Sequence, residues 1–246
     1  MGYHPRIESK DLSSFVTTRC RNSRLWFVNN QKLERQILAY VAKIAARYNV
    51  LIYALAIEGN HLQMLLGFPD ENRADFMRDL NSIIARLVQR YCEEYEGGGL
   101  WAKRYSAELV PSHKDDLEDR FFYTALQPVQ DGLVQKLSEY PEYNCFHDAV
   151  WGIKREYKLI NWTKYNRARR GNPNISIKQF EEKYTLTYTK IPGYEHLSQR
   201  QYALLLSKRL EERRVEVVKQ RLAEGKGFAG AEQLRQTVPG SPPKST

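Results

Sequence analysis

The order of local patterns along residues 13–137 reads strand, helix, strand, strand, helix, strand, helix. That order predicts an α+β fold with a four-stranded antiparallel sheet of ferredoxin-like topology. Two further observations complete the prediction. A short polar turn, Glu58-Gly59-Asn60, separates two apolar runs of strand length, and beyond Trp151 the texture turns basic and mainly helical.

Ser13 to Cys20 is rich in β-branched residues and reads as the first strand. From Asn30 to Tyr48, the residues Leu33, Ile37, Tyr40, Val41, Ile44 and Tyr48 recur at steps of three and four, which predicts a helix with one apolar face. Leu51 to Ile57 and Leu62 to Phe68 flank the turn and make a hairpin. Phe76, Leu80, Ile83, Leu87, Val88 and Tyr91 predict a helix over 72–96, closed by Gly97-Gly98-Gly99. Arg104 to Val110 reads as a strand and Asp115 to Leu137 as a helix that Pro128 must kink. Further on, Ser198 to Glu224 predicts a helix with Ser198 as N-cap and Gly225 just past its end, and a short helix is expected at Ala231–Gln236.

With 42% hydrophobic and 27% charged residues, 246 residues suffice for one core and a small second unit, or for one large domain. Residues 1–150 are expected to form the first unit and 151–246 the extension, with a disordered tail from about 238. No run of 18 apolar residues occurs and the first ten residues hold no apolar signal segment, which points to a cytoplasmic protein with no membrane partner. Three cysteines, Cys20, Cys92 and Cys145, without CxxC spacing, argue against a disulfide framework or a zinc ribbon. The net charge of +9 is not evenly spread: residues 1–153 hold 18 Lys and Arg against 20 Asp and Glu, and residues 154–246 hold 20 against 9. Such asymmetry suits either a solubilising tail or a polyanion contact, in which Lys and Arg displace the counterions of phosphates.

Two segments offer chemistry. His61 and Gln63 are two apart on an expected strand, so both side chains point to one face and could share a ligand. Tyr123 and Gln127 are four apart on an expected helix, one turn from each other on one side. Neither pair is specific alone.

Together they resemble the REP-associated tyrosine transposases, relatives of the insertion-sequence-200-like transposases within the His-hydrophobic-His endonuclease superfamily. The family's hairpin reads PNHxHLL, matched here by Gly59-Asn60-His61-Leu62-Gln63-Met64-Leu65. Its tyrosine helix reads YIxxNPVRAGLV, matched by Tyr123-Thr124-Ala125-Leu126-Gln127-Pro128-Val129-Gln130-Asp131-Gly132-Leu133-Val134. Gly99-Leu100-Trp101-Ala102-Lys103-Arg104-Tyr105 is similar to its G-x-LW-x-x-RY signature, and Pro5-Arg6-Ile7-Glu8 with Val16-Thr17-Thr18-Arg19 to its opening. The resemblance runs from about residue 3 to 150. It departs twice: Gln63 stands where the family has a second histidine, and Gln127 where it has asparagine.

The resemblance implies a divalent ion, Mg²⁺ or Mn²⁺, on His61, Gln63 and Gln127. One imidazole and two carbonyl oxygens suit these oxygen-seeking ions. It implies Tyr123 as the nucleophile, giving a 5′-phosphotyrosine and a free 3′-OH on single-stranded DNA beside a hairpin. A phenol with its ordinary pKa of about 10 needs that activation at neutral pH. DNA contacts are expected from Arg86, Arg90 and Arg104, and from Lys154, Arg155, Lys158, Trp162, Lys164, Arg167, Arg169 and Arg170 of the extension, where aromatics could stack unpaired bases. Gln63 leaves two readings open, an active strand transferase and a hairpin-binding protein that no longer cuts. RNA binding is a third. Family relatives occur as monomers and as homodimers.

Overall fold

The computed structural model describes residues 7–111 and 113–243. Pro5 and Arg6 of the family-like opening, and the last three residues of the expected tail, lie outside them.

The first six elements follow the predicted order: β1 (Ser13–Arg19), α1 (Gln31–Arg47), β2 (Leu51–Glu58), β3 (His61–Gly67), α2 (Arg73–Tyr91) and β4 (Ser106–Val110). They build an antiparallel sheet in the order β2-β3-β1-β4. This is the ferredoxin-like arrangement. Asn30 caps α1 by accepting from the Leu33 amide at 2.9 Å, which satisfies one of the helix's unbonded amides.

Side chains alternate across a strand, so single contacts reveal which layer covers which face. Ser14 receives a hydrogen bond from Arg73 of α2 at 3.0 Å, while its neighbour Phe15 meets Tyr123 edge-on at 5.8 Å. Helix α2, with α1 beside it, therefore covers one face. The helix bearing Tyr123, α3 (Lys114–Ala125), covers the other. Because Phe15 pairs with Leu65, Thr17 with Gln63 and Arg19 with His61, the polar pair His61 and Gln63 lies on the α3 face. Leu62, Met64 and Leu66 fill the α1–α2 face, all fully buried.

Several boundaries differ from expectation. Helix α2 ends at Tyr91 rather than running to Glu96, because the apolar stripe stops there and Glu93, Glu94 and Glu96 are solvated. The glycines that follow belong to a loop, with Gly97 and Gly98 at φ 99° and 89°. β4 starts at Ser106, two residues after the expected Arg104. The helix expected over 115–137 breaks at Leu126. Pro128, which has no N–H to give to the preceding turn, sits instead in the first turn of α4 (Gln127–Gln130), where an unbonded amide costs nothing.

Beyond α5 (Phe146–Trp151), the extension contains a two-stranded sheet that the basic composition masked, β5 (Arg155–Ile160) with β6 (Glu181–Leu186). Its helices are α6 (Trp162–Gly171), α7 (Gln199–Ala223) and α8 (Ala231–Arg235). Ser198 and Gln201 form a capping box at the start of α7. The extension wraps the sheet: β5 and β6 lie on α1, α5 passes the β2 edge, and α7 packs on α4 and α5. The Thr189 amide closes part of that edge by donating to the Ile52 carbonyl at 2.8 Å. Tyr157, Leu159, Leu186, Tyr194, Tyr202 and Leu206 join the same buried cluster as Val16 and Leu62. The tail expected to be disordered from about 238 is held as far as Ser241, because Leu25 exchanges backbone hydrogen bonds with Gly240 and Ser241 at 2.9 Å.

A core shared this way unfolds as one. Leu206→Ala, a fully buried site on α7, is expected to cost about 2–5 kcal/mol and to shift the urea transition of the whole chain, with far-UV and aromatic signals still coincident. Two separated transitions would show that the extension folds apart.

Candidate functional site

The β2–β3 turn closes with only Gly59 and Asn60 between Glu58 and His61, which are paired across it. Gly59 is required by close approach: a Cβ there would fall 2.9 Å from the Leu25 and Val28 side chains. Asn60 is fixed by donating to the Ser23 carbonyl at 3.0 Å, and its side-chain oxygen lies 2.8 Å from His61 Nδ1. With a proton on Nδ1 directed at that oxygen, Nε2 keeps its lone pair. The ring is only 2% exposed. Burial, with the Arg19 cation across the strand pair, pushes its pKa down to about 4, so the imidazole is neutral at pH 7.

Among the described residues, the buried side-chain atoms without a hydrogen-bond partner include His61 Nε2, Gln63 Oε1 and Gln127 Oε1, alongside Thr18 Oγ1, Asn72 Oδ1, Asn81 Oδ1, Arg73 Nε and Arg221 Nε elsewhere. Gln63 and Gln127 are 5% and 4% exposed. Gln127 is oriented by its own amide, which donates to Asp131 Oδ1 at 3.1 Å and leaves the oxygen free. A buried acceptor left unpaired costs roughly 1–3 kcal/mol unless a ligand or water takes up its lone pair. Among the described residues no group of three or more His, Cys, Asp and Glu side chains gathers as a metal site. His61, Gln63 and Gln127 would offer one imidazole and two carboxamides, a donor chemistry that fits Mg²⁺ or Mn²⁺.

Tyr123 is 38% exposed on the same face of the sheet. It stands in the wall of a cleft of about 570 Å³ between α3 and α7. Arg120 of that cleft lies over the Phe15 ring at 5.2 Å and pairs with Glu108 at 2.5 Å. The lining includes the guanidiniums of Arg120 and Arg213, but also the carboxylates of Glu108, Asp116, Asp119 and Glu216. A phosphate entering it meets excess negative charge unless cations accompany it.

Sequence reasoning missed two groups near these residues. Arg19 is opposite His61, which counting back along β1 would have shown. Glu58 is 3% exposed, and burial together with the nearby Asp131 and Glu142 carboxylates raises its pKa well above the usual range. Tyr140 Oη donates to it at 3.4 Å.

The expected DNA contacts lie on more than one surface. Arg104 is exposed in the loop before β4. Arg86 and Arg90 project from α2, in the layer across the sheet, Arg86 bonding Ser82 at 2.8 Å and Arg90 lying over Trp162 at 5.5 Å. Arg90 thereby joins the α6 surface, where Trp162 is 40% exposed and Arg167, Arg169 and Arg170 are exposed without an ion pair among the described residues. Lys154 is exposed too. Three of the expected contacts are already engaged: Arg155 holds the buried Asp148 through two nitrogens, Lys158 pairs with Glu181 at 3.1 Å and Lys164 with Glu182 at 3.0 Å.

Residues 13–119 match the family model described as Transposase IS200 like. None of the curated proteins matches. Among solved structures, the chain is similar to a REP-associated tyrosine transposase bound to a REP hairpin, at 21% identity and a TM-score of 0.48, covering 60% of this chain and 84% of that one. It is also similar to a Deinococcus radiodurans protein to which transposase function has been ascribed, at 18% identity and a TM-score of 0.35, covering 49% of this chain and 95% of that one. No helix among the described residues is long and apolar enough to cross a membrane.

The low pKa of His61 makes stability depend on acid. The unfolded chain binds this proton near pH 6.5 and the folded chain only near 4, so the unfolded state gains protons first. Stability is complete above 6.5 and is lost as pH falls towards 4, by about 3 kcal/mol in all. Urea unfolding at pH 7 and pH 4.5 is expected to show a smaller acid loss in His61→Gln than in the natural chain. Equal losses would mean that His61 is not held neutral by burial.

Proposed function

From an IS200-like transposase region at residues 13–119, we propose that this chain cleaves and rejoins single-stranded DNA beside a hairpin, using Tyr123 as nucleophile and a divalent ion. The observation that carries this reading is the set of three buried, unpartnered acceptors, His61 Nε2, Gln63 Oε1 and Gln127 Oε1. They fall on the two segments that the sequence relates to a nuclease, and on the sheet face that Tyr123 covers. Residues 1–150 are proposed as the nuclease unit and 151–246 as a DNA-binding extension docked on it. The solved structure of a REP-associated tyrosine transposase bound to a REP hairpin is a protein for which hairpin DNA is a known ligand, and this chain is proposed to take the same class of partner.

An ion held by His61, Gln63 and Gln127 would act as Lewis acid and template for the scissile phosphate. The chain's own residues do the rest. Neutral His61 offers a lone pair instead of a proton, held in place by Asn60. Gln127 is aimed by Asp131. Tyr123 Oη attacks phosphorus in line and loses its proton; the P–O3′ bond breaks and the 3′ oxygen takes a proton from solvent. The phosphotyrosine keeps the energy of the broken ester, so a second 3′-OH can displace it without ATP.

DNA binding is assigned to two surfaces. Arg104 lies on the loop that leads into β4, Arg86, Arg90, Trp162, Arg167, Arg169 and Arg170 line the α2–α6 surface across the sheet, and Lys154 is exposed just before β5. Lys158, Lys164 and Arg155 would first have to release their carboxylates. A hairpin held on the α2–α6 surface would have to lead a single strand around the sheet to Tyr123.

Two observations favour a second reading, a hairpin-binding protein that does not cut: Gln63 in place of histidine, and the four carboxylates beside Tyr123. One experiment separates the two. The protein is incubated with a labelled hairpin carrying a single-stranded flank and Mn²⁺, and protein–DNA adducts that resist denaturation are counted. The natural chain is expected to form the adduct. Tyr123→Phe is expected to abolish it while leaving hairpin affinity within about twofold, since only an oxygen is removed. Gln63→His is expected to alter metal preference towards ions that favour imidazole. No adduct from the natural chain but a clear one from Gln63→His would leave the binding reading.

A further inference from the structure

Helix α3 carries Tyr123 on one side and buries Glu118 on another. Five residues at 100° each set the two side chains about 140° apart around the helix, so Glu118 points away from the sheet that Tyr123 meets. Glu118 is 4% exposed. Its carboxylate accepts hydrogen bonds from Tyr194 Oη and Arg209 Nη1, with Arg213 Nη2 at 3.5 Å. Arg209 also donates to Tyr194 Oη at 2.8 Å, closing a triangle. Arg213 pairs in addition with Asp119 at 2.6 Å and lies over the Phe122 ring at 4.8 Å. Every one of these partners belongs to the extension, and none to the stretch 13–119 that matches the family model. The same helix α7 supplies the far wall of the Tyr123 cleft through Arg213, Glu216, Val217 and Gln220.

We propose that α7 is part of the cleavage unit, and that Glu118 is a positioning residue whose capture by Arg209 and Tyr194 sets the rotation of α3 and holds Tyr123 in the cleft. A carboxylate buried this deeply depends on its cationic partners, and losing Arg209 leaves only the longer contact with Arg213 to compensate its charge. The clamp therefore admits one orientation of α3. Rotation of the helix that would carry Tyr123 away from Phe15 also pulls Glu118 out of the triangle. The proposal rests on the reading of Tyr123 as nucleophile for its catalytic consequence, though not for the hold of α7 on α3.

The test uses the full chain with Arg209→Met, which removes the charge but keeps much of the stem, and Arg209→Lys, which keeps a cation. Amide hydrogen exchange is followed in α3 and in the β2–β3 hairpin, alongside the rate of adduct formation and the hairpin Kd in Mn²⁺. Arg209→Met is expected to speed exchange over residues 118–126 at least tenfold with the hairpin unchanged, and to slow adduct formation at least tenfold with Kd within twofold. Arg209→Lys is expected to restore most of both. If Arg209→Met does not fold, Glu118→Gln carries the same comparison. Unchanged α3 exchange would overturn the clamp, and loosened α3 with an undiminished adduct rate would overturn the positioning role. A natural chain that forms no adduct removes the nucleophile and the positioning role with it, and the exchange result then judges the clamp alone.

Discussion

The pairing register of β1 with β3 is the constraint on which the candidate site depends. With Thr17 opposite Gln63 and Arg19 opposite His61, the two polar side chains turn towards α3, and Leu62 and Met64 turn into the core under α1 and α2. A slip of one residue would exchange the faces, placing an imidazole and an amide in the apolar layer and two large apolar groups beneath Tyr123. The buried aliphatic side chains enforce the register, and the Cys20 amide, donating to the Asn60 carbonyl at 2.7 Å, fixes it at its end. Hydrophobic packing on one face of the sheet thus positions polar chemistry on the other.

That chemistry is stored as unsatisfied bonding capacity. His61 and Gln127 each have one polar atom committed, to Asn60 and Asp131, and the other left open. Orientation by a second group is the usual means by which proteins aim a ligand at a metal. Gln63 supplies a weaker donor than the histidine of the related motif. Glu58 faces the same side, yet burial beside Asp131 and Glu142 favours its neutral form. One imidazole and two carboxamides would form a site of low charge, better suited to hard ions.

Much of this was legible in residues. Strand order followed from β-branched and apolar runs bounded by polar turns and helix order from the 3.6-residue period, and the cap at Ser198 announced its helix. The facing pair His61 and Gln63 followed from spacing alone, and so did Tyr123 and Gln127 as one turn of helix, although Pro128 splits that turn between α3 and α4. What could not be read was long-range. β5 and β6 were hidden because alternating charged residues, Glu156 and Lys158 on one strand and Glu181 and Lys183 on the other, make cross-strand ion pairs on the pleated surface, and composition alone reads such a stretch as a solvated segment. The capture of Glu118 by residues 76 and 91 positions away leaves no local pattern. Nor does a list of basic residues show that Arg155, Lys158 and Lys164 spend their charge inside the protein, or that Arg90 and Trp162 meet across two elements.

The claim at the centre is that His61 Nε2, Gln63 Oε1 and Gln127 Oε1 form a divalent-ion site. Titration of Mn²⁺ into the protein without DNA, followed by the loss of the free-ion electron paramagnetic resonance signal, tests it most directly. One site per chain is expected in the natural protein, absent in His61→Ala and weakened in Gln127→Leu. No binding by the natural chain, or equal binding by His61→Ala, would contradict the account.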